Sequence, residues 1–182
     1  MIAEFDLEKV HKAGARFSPD KAKWFNQQYL QRRSDEELLP EVKKIIDDKK
    51  ITIPDEKLLE IIGLMKERAT FIQDIYNDGI FFFEAPGSYD EKAAKKAWHQ
   101  DAAEFLTEFR TRLCEINFDA ERLKNLIHDF AQEKAVSMGK LMMPLRLALV
   151  GELKGPDVPV IMEIIDRAET LKRIDNAVAA LG

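Results

Sequence analysis

The sequence predicts an all-α protein built as two consecutive helical-bundle subdomains, residues 1–87 and 88–182. Three observations carry that expectation. Apolar residues recur at helical spacing along nearly all of the 182 residues. Glycine and proline are few and stand between the periodic segments. Helix-start patterns punctuate the chain, at Ser18-Pro19-Asp20, Ser34 to Glu37, Ser88 to Glu91 and Asn117-Phe118-Asp119.

Each element has its own reason. Phe5, Leu7 and Val10 mark a short opening helix or turn that ends by Gly14. Ser18 then caps a helix whose first residue is Pro19, where a missing N–H costs nothing, and Asp20 meets the positive end of the dipole. This helix carries Trp24, Phe25, Tyr29 and Leu30 and ends near Arg33. Ser34 to Glu37 fits a capping box before an apolar face of Leu38, Leu39, Val42, Ile45 and Ile46. Thr52 to Asp55 connects to one long helix, expected to run from Pro54 to about Tyr76 with Leu58, Ile61, Ile62, Met65, Ile72 and Ile75 as its stripe. Arg68 interrupts that stripe. It is either a snorkelling or internally paired arginine, or one placed where the bundle opens onto a ligand.

Phe81-Phe82-Phe83 is the most strand-like or irregular apolar run and is read as core closure. Ala85-Pro86-Gly87-Ser88 is the internal boundary, and Ser88 to Glu91 a second capping box. The helix it opens is expected to carry Ala97, Trp98, Phe105, Leu106, Phe109 and Leu113 on one side. Asp119 begins another, with Leu123, Leu126, Ile127 and Phe130 apolar and Lys134 near its end. Pro144 to Val150 reads as a short helix with proline first and Gly151 closing it. Arg146 would then sit in its first turn, beside free backbone N–H groups, where a guanidinium suits a phosphate or a base edge. The alternative is an arginine that caps a neighbouring helix or pairs with a carboxylate. The Gly155-Pro156 loop returns the chain into two last helices, Val158 to Arg167 and Ala168 to Leu181.

Composition excludes several classes. Apolar residues make up 46% and charged residues 34%, the balance of a folded globular chain. No apolar run is long enough to span a bilayer, and the N-terminus lacks a signal-peptide pattern, so no membrane partner is expected. One cysteine, Cys114, cannot form an internal disulfide; a reducing cytoplasm and a buried, inert thiol are expected. A net charge of −5 argues against a globally basic nucleic-acid binder but leaves room for a local basic face.

Catalytic chemistry is hard to find. There is no Gly-rich phosphate loop, nucleophile elbow or zincin motif. His11, His99 and His128 are far apart in sequence, and each fits a surface or core histidine better than a ligand. Glu8 and His11 form one Glu-x-x-His pair, but a di-iron bundle needs two. The expectation is therefore no catalytic, cofactor-binding or metal-binding residue in this chain.

Two stretches point to a family. Met143-Pro144-Leu145-Arg146-x-Ala148-Leu149-x-Gly151, followed by Gly155-Pro156 and a final amphipathic helix, resembles the C-terminal end of bacterial glutamyl-tRNA synthetases. Lys23-Trp24-Phe25-Asn26-Gln27-Gln28-Tyr29, after Phe5 to Gly14, resembles the segment that follows their catalytic half. The motifs stand in the family's order at both ends of the chain. The resemblance implies an α-helical anticodon-binding region of the class I synthetase type. The two ATP-binding signatures of class I synthetases, of the His-Ile-Gly-His and Lys-Met-Ser-Lys-Ser types, do not occur here. ATP and Mg²⁺ would therefore serve the parent enzyme's catalytic half, which ligates glutamate to tRNA(Glu). As a separate piece this chain should not aminoacylate.

The resemblance also implies residue roles. Arg146 matches an arginine on the helix that holds the first two anticodon bases, and Gly155, Pro156 and Val158 match the loop after it. Arg68 is the match for an arginine that reaches the third base. Lys140 and Lys154 flank the region as candidates for phosphate contacts. Val150 stands where the family often has threonine, and Pro159-Val160 where it commonly has Phe-Glu, so one hydroxyl is lost and the next helix start is expected to be reshaped.

The expected partners are tRNA(Glu) and the catalytic half of the same enzyme, with the chain monomeric. The opening Phe5, Leu7 and Val10 are read as surface shared with a larger partner. The other class of reading is a free-standing helical protein-interaction module, which would be expected to show a complete, sealed core with a natural beginning. A metal-dependent bundle enzyme fails on ligand count.

Overall fold

The structure, a computed structural model, describes residues 18–182. The expected opening helix and the Glu8–His11 pair lie outside the described residues. Among the described residues the chain forms nine α-helices and one 3-10 turn, with no strand. The helices are α1 (Pro19–Arg32), α2 (Asp35–Asp48), α3 (Asp55–Lys66), α4 (Ile72–Asn77), α5 (Glu91–Ala97), α6 (Ala102–Leu113), α7 (Ala120–Glu133), α8 (Met138–Val150) and α9 (Val158–Leu181). The 3-10 turn, Ile80–Phe82, joins α4 to the segment before α5.

Local chemistry sets most of the starts. Ser18 accepts from the Lys21 amide at 3.4 Å, and Pro19 sits at the first position of α1. Ser34 and Glu37 form the reciprocal capping box of α2 at 3.2 and 3.1 Å. The Asp119 carboxylate accepts from the Arg122 amide at the head of α7. Each such cap satisfies a donor that the helix itself cannot.

Packing then places α8 at the centre of the second half, flanked by α5, α6, α7 and α9. Leu141, Leu145, Leu147, Ala148 and Leu149 of α8 are fully buried. In the first half α2 packs on α3 and α4 through Leu38, Val42 and Ile46. Phe81 and Phe82 are buried, so the aromatic run does close a core, and the 3-10 turn that carries them lies on α9. One apolar cluster extends from Leu30 to Ala177.

Four sequence expectations are corrected. The long helix from Pro54 to Tyr76 is two helices, broken over residues 67–71, because the Asp74 carboxylate turns back to accept from the Thr70 and Phe71 amides at 3.0 and 2.8 Å and so starts α4. The second capping box does not form at Ser88. Asp90 caps α5 instead, accepting from the Ala93 amide at 2.7 Å, while its own amide donates to Gly151 O. The helix expected to continue through Leu113 is broken after Ala97, where Trp98 leaves helical geometry (ψ 84°). Cys114 is exposed, since it lies just past Leu113 at the end of α6.

A fifth correction concerns Pro144. It is the seventh residue of α8 rather than its first. Proline there removes the N–H that would bond the carbonyl four residues back, which belongs to Lys140. His99 Nε2 lies 2.8 Å from that oxygen. A carbonyl can only accept, so Nε2 carries the proton and donates. The helix passes through Pro144 because a side chain from the α5–α6 connector replaces the missing bond.

The two final helices form one run, α9, kinked at Asp166, which has a left-handed φ of 71°. The Asp166 carboxylate accepts from the Glu169 amide at 3.1 Å, capping the second segment. Pro159 does not disturb the start of α9, because it falls in the first turn, where amide hydrogens have no helical partner.

Candidate nucleic-acid interface

The loop between α8 and α9 is fixed from three sides. Gly151 ends α8 in the left-handed region (φ 82°), and a side chain there would strike Ser88 O and Pro86. Gly155 also has positive φ (111°), and a Cβ on it would meet the Phe81 ring at 3.2 Å and Arg146 Nη1 at 3.5 Å. Arg146 supplies the third constraint. Its Nη1 donates to Pro156 O at 2.7 Å and to Lys154 O at 3.2 Å.

Because α8 begins six residues before Pro144, Arg146 lies toward the helix's C-terminal end and not in its first turn. That corrects the expected neighbourhood of free N–H groups. The guanidinium meets the carbonyl oxygens of Lys154 and Pro156 instead, acceptors that suit a cation. The side chain is half-buried, and among the described residues Nε and Nη2 make no hydrogen bond. Burial lowers its pKa from the ordinary arginine value, Asp157 opposes that, and the like charge of Arg68 adds to it. Arg68 and Arg146 are thus close enough for their charges to interact.

Arg68 itself is exposed, in the turn after α3, and does not interrupt a buried helix face. The charge of Arg68, in the turn after α3, is therefore felt at Arg146 on α8, across the two halves of the chain. Lys154 is exposed beside them and pairs with Glu152 at 3.1 Å. Lys140 is exposed in the first turn of α8, about 9 Å along the axis from Arg146. Pro156 and Val158 are buried, Val158 completely. What these two residues offer a ligand is the shape of the loop.

Sequence reasoning missed Arg173. It is 2% exposed, donates from Nη1 to Phe81 O at 2.6 Å and Leu149 O at 2.8 Å, and from Nε to Glu169 at 2.9 Å. A signal existed: Thr170, Arg173, Ile174 and Ala177 share one helical stripe, with Glu169 four residues before the arginine. His99 and His128 are separate, and among the described residues no group of three His, Cys, Asp or Glu side chains could hold a metal ion. No helix among them is long and apolar enough to cross a membrane.

An all-helical body of this architecture has known counterparts. The chain belongs to the anticodon-binding domain family, whose model matches residues 24–178. Across its whole length it is 59% identical to a glutamate tRNA ligase from Elizabethkingia meningosepticum, solved in complex with its amino acid, with a TM-score of 0.95; it covers 36% of that chain. The glutamate-tRNA synthetase of Elizabethkingia anophelis is also 59% identical, with a TM-score of 0.90 over 98% of this chain and 35% of its own. Among curated relatives, the glutamate–tRNA ligase of Christiangramia forsetii is 45% identical over 178 residues, which are 97% of this chain and 35% of the relative. The chain thus spans about a third of the length of the proteins it matches.

Proposed function

We propose that this chain reads the anticodon of tRNA(Glu) as part of a glutamate–tRNA ligase. The observation that carries the reading is the Arg146 guanidinium, anchored on the loop through Nη1 with Nε and Nη2 left to donate, and reached by the charge of Arg68. Sequence-specific RNA binding usually targets unstacked loop bases through their edges and faces, and a guanidinium serves both. In this reading Arg146 and the loop of Gly155, Pro156 and Val158 hold the first two bases, and Arg68 reaches the third. Lys140 and Lys154 contact phosphates.

The rest of such a ligase, bound to this chain, would form glutamyl-adenylate from ATP with Mg²⁺ and charge the tRNA. Its contact surface includes the exposed Trp24, Phe25 and Tyr29 of α1, whose aromatic area on a lone helix face suits a covered surface. The enzyme would act in the cytoplasm, with this chain contributing two subdomains, 1–87 and 88–182, and no second copy. The test is titration of the purified chain with a fluorescent tRNA(Glu) anticodon stem-loop, against one with all three anticodon bases changed. Tighter binding to the cognate loop is expected. Equal binding to both would overturn anticodon reading.

A further inference from the structure

Buried polar ties usually hold a fold together without reference to any ligand. The tie made by Arg173 is placed differently, because its acceptors lie directly behind the reading loop. Leu149 O is one of the last carbonyls of α8, which the helix leaves without an internal partner. Phe81 O belongs to the 3-10 turn from the other half of the chain, 92 residues away in sequence. A single guanidinium nitrogen joins both, at 2.6 and 2.8 Å, and Glu169 orients the side chain through Nε.

Phe81 is 3% exposed, and its ring reaches the loop at Gly155, 3.2 Å from where a side chain would begin and just inside van der Waals contact. Gly155 is also where Arg146 Nη1 lies, on its way to the carbonyls of Lys154 and Pro156. A continuous path of contacts therefore runs from Arg173 through Phe81 and Gly155 to Arg146. Such close packing transmits a displacement instead of absorbing it. The one polar group in the path that touches a base would be Arg146.

We infer that Phe81, clamped by Arg173, is a positioning residue for base recognition: it sets the Gly155–Pro156 loop and thereby the direction in which Arg146 presents its free donors. This rests on the anticodon-reading function proposed above and deepens it. Phe81 and Arg173 touch no RNA; they act through Arg146.

The experiment measures binding of the cognate and base-changed stem-loops by the full chain carrying Phe81→Leu, Arg173→Lys, Arg146→Ala, or Phe81→Leu with Arg146→Ala. Phe81→Leu keeps the backbone carbonyl that Arg173 uses, so it remains informative should Arg173→Lys fail to fold. Cognate affinity is expected to fall about tenfold in Phe81→Leu, the loss of one directed base contact, with the changed loop bound as before. In the Arg146→Ala background Phe81→Leu should then cost nothing more, since neighbours acting as a unit are not additive. A merely structural role predicts equal weakening of both loops and additive effects. Either of those results, or an unchanged preference in folded Phe81→Leu, overturns the inference alone. A wild-type chain that does not distinguish the loops overturns the anticodon reading and this inference with it.

Discussion

Arg146 and Arg173 meet the same small region from opposite sides, and their surroundings are opposite. Arg173 is buried and spends its donors on two carbonyls and a carboxylate of the protein. Arg146 is half-buried, spends one nitrogen on loop carbonyls, and keeps the rest of its fork available. The first is a tie between elements; the second is a reader held in place by a tie. Residue type is the same in both, so what separates the roles is where the donors end.

The largest effect should come from cutting the buried tie. Arg173→Met leaves Phe81 O and Leu149 O without their partner, and Glu169 with Lys172 alone. Each buried carbonyl left unpaired typically costs about 1–3 kcal/mol. Urea unfolding of the variant should show a midpoint far below wild type. A shift equivalent to under about 1 kcal/mol would mean that water replaces the guanidinium and the contrast with Arg146 collapses.

Arg146→Ala should do the reverse. The loop carbonyls it leaves can reach solvent, so stability should change by no more than about 1 kcal/mol. Binding to the cognate stem-loop should weaken by about 1–3 kcal/mol, the value of a base-edge contact. Circular dichroism melting and fluorescence titration of one sample separate the two quantities. Arg68→Ala, at an exposed turn, should leave the melt unchanged and weaken the cognate complex alone. Unchanged affinity in either folded variant removes that arginine from the interface.

Between these lies Gly155→Ala. A side chain at a φ of 111° is strained by about 1–2 kcal/mol, and it would also press on the Phe81 ring. Both stability and cognate binding should therefore fall, which neither arginine variant does in that combination. A stable variant with normal binding would show that the loop does not rest on Phe81.

Much of this was legible in the sequence because local chemistry decided it. The Ser18 and Ser34 caps, the Asp119 start and the Gly151 stop each depend on residues within four positions. The failures came where distant partners decided. Pro144 looked like a helix start, and only His99, from another connector, lets the helix run through it. Arg68 looked like a break in a buried stripe, because the Asp74 carboxylate that divides the helix there is itself unremarkable in sequence. The loop residues of the candidate site were read from the family motif, but the approach of Arg68 to Arg146 is tertiary. Arg173 was hidden for the same reason, since its acceptors are backbone oxygens 24 and 92 residues away.

The smallest effect concerns acid. Burial raises the Glu169 pKa, but the hydrogen bond and charge of Arg173, helped by Lys172, outweigh it and hold the carboxyl below its ordinary value. A depressed folded pKa means that the unfolded chain takes up the proton first. The stabilisation is thus complete above the unfolded value, about 4.3, and is lost as pH falls through the lower folded value. Glu169→Gln keeps an oxygen for Arg173 Nε but removes the charge, so it should lower stability at pH 7 and leave it unchanged at the acid end. Unfolding curves of the two proteins should converge below pH of about 4. Arg146 has no such carboxylate hydrogen-bonded to it; its Nη1 is held by the Lys154 and Pro156 carbonyls. Curves that stay apart at low pH would mean that the Glu169 charge is not what holds Arg173, and the distinction between the buried tie and the half-buried reader would then rest on packing alone.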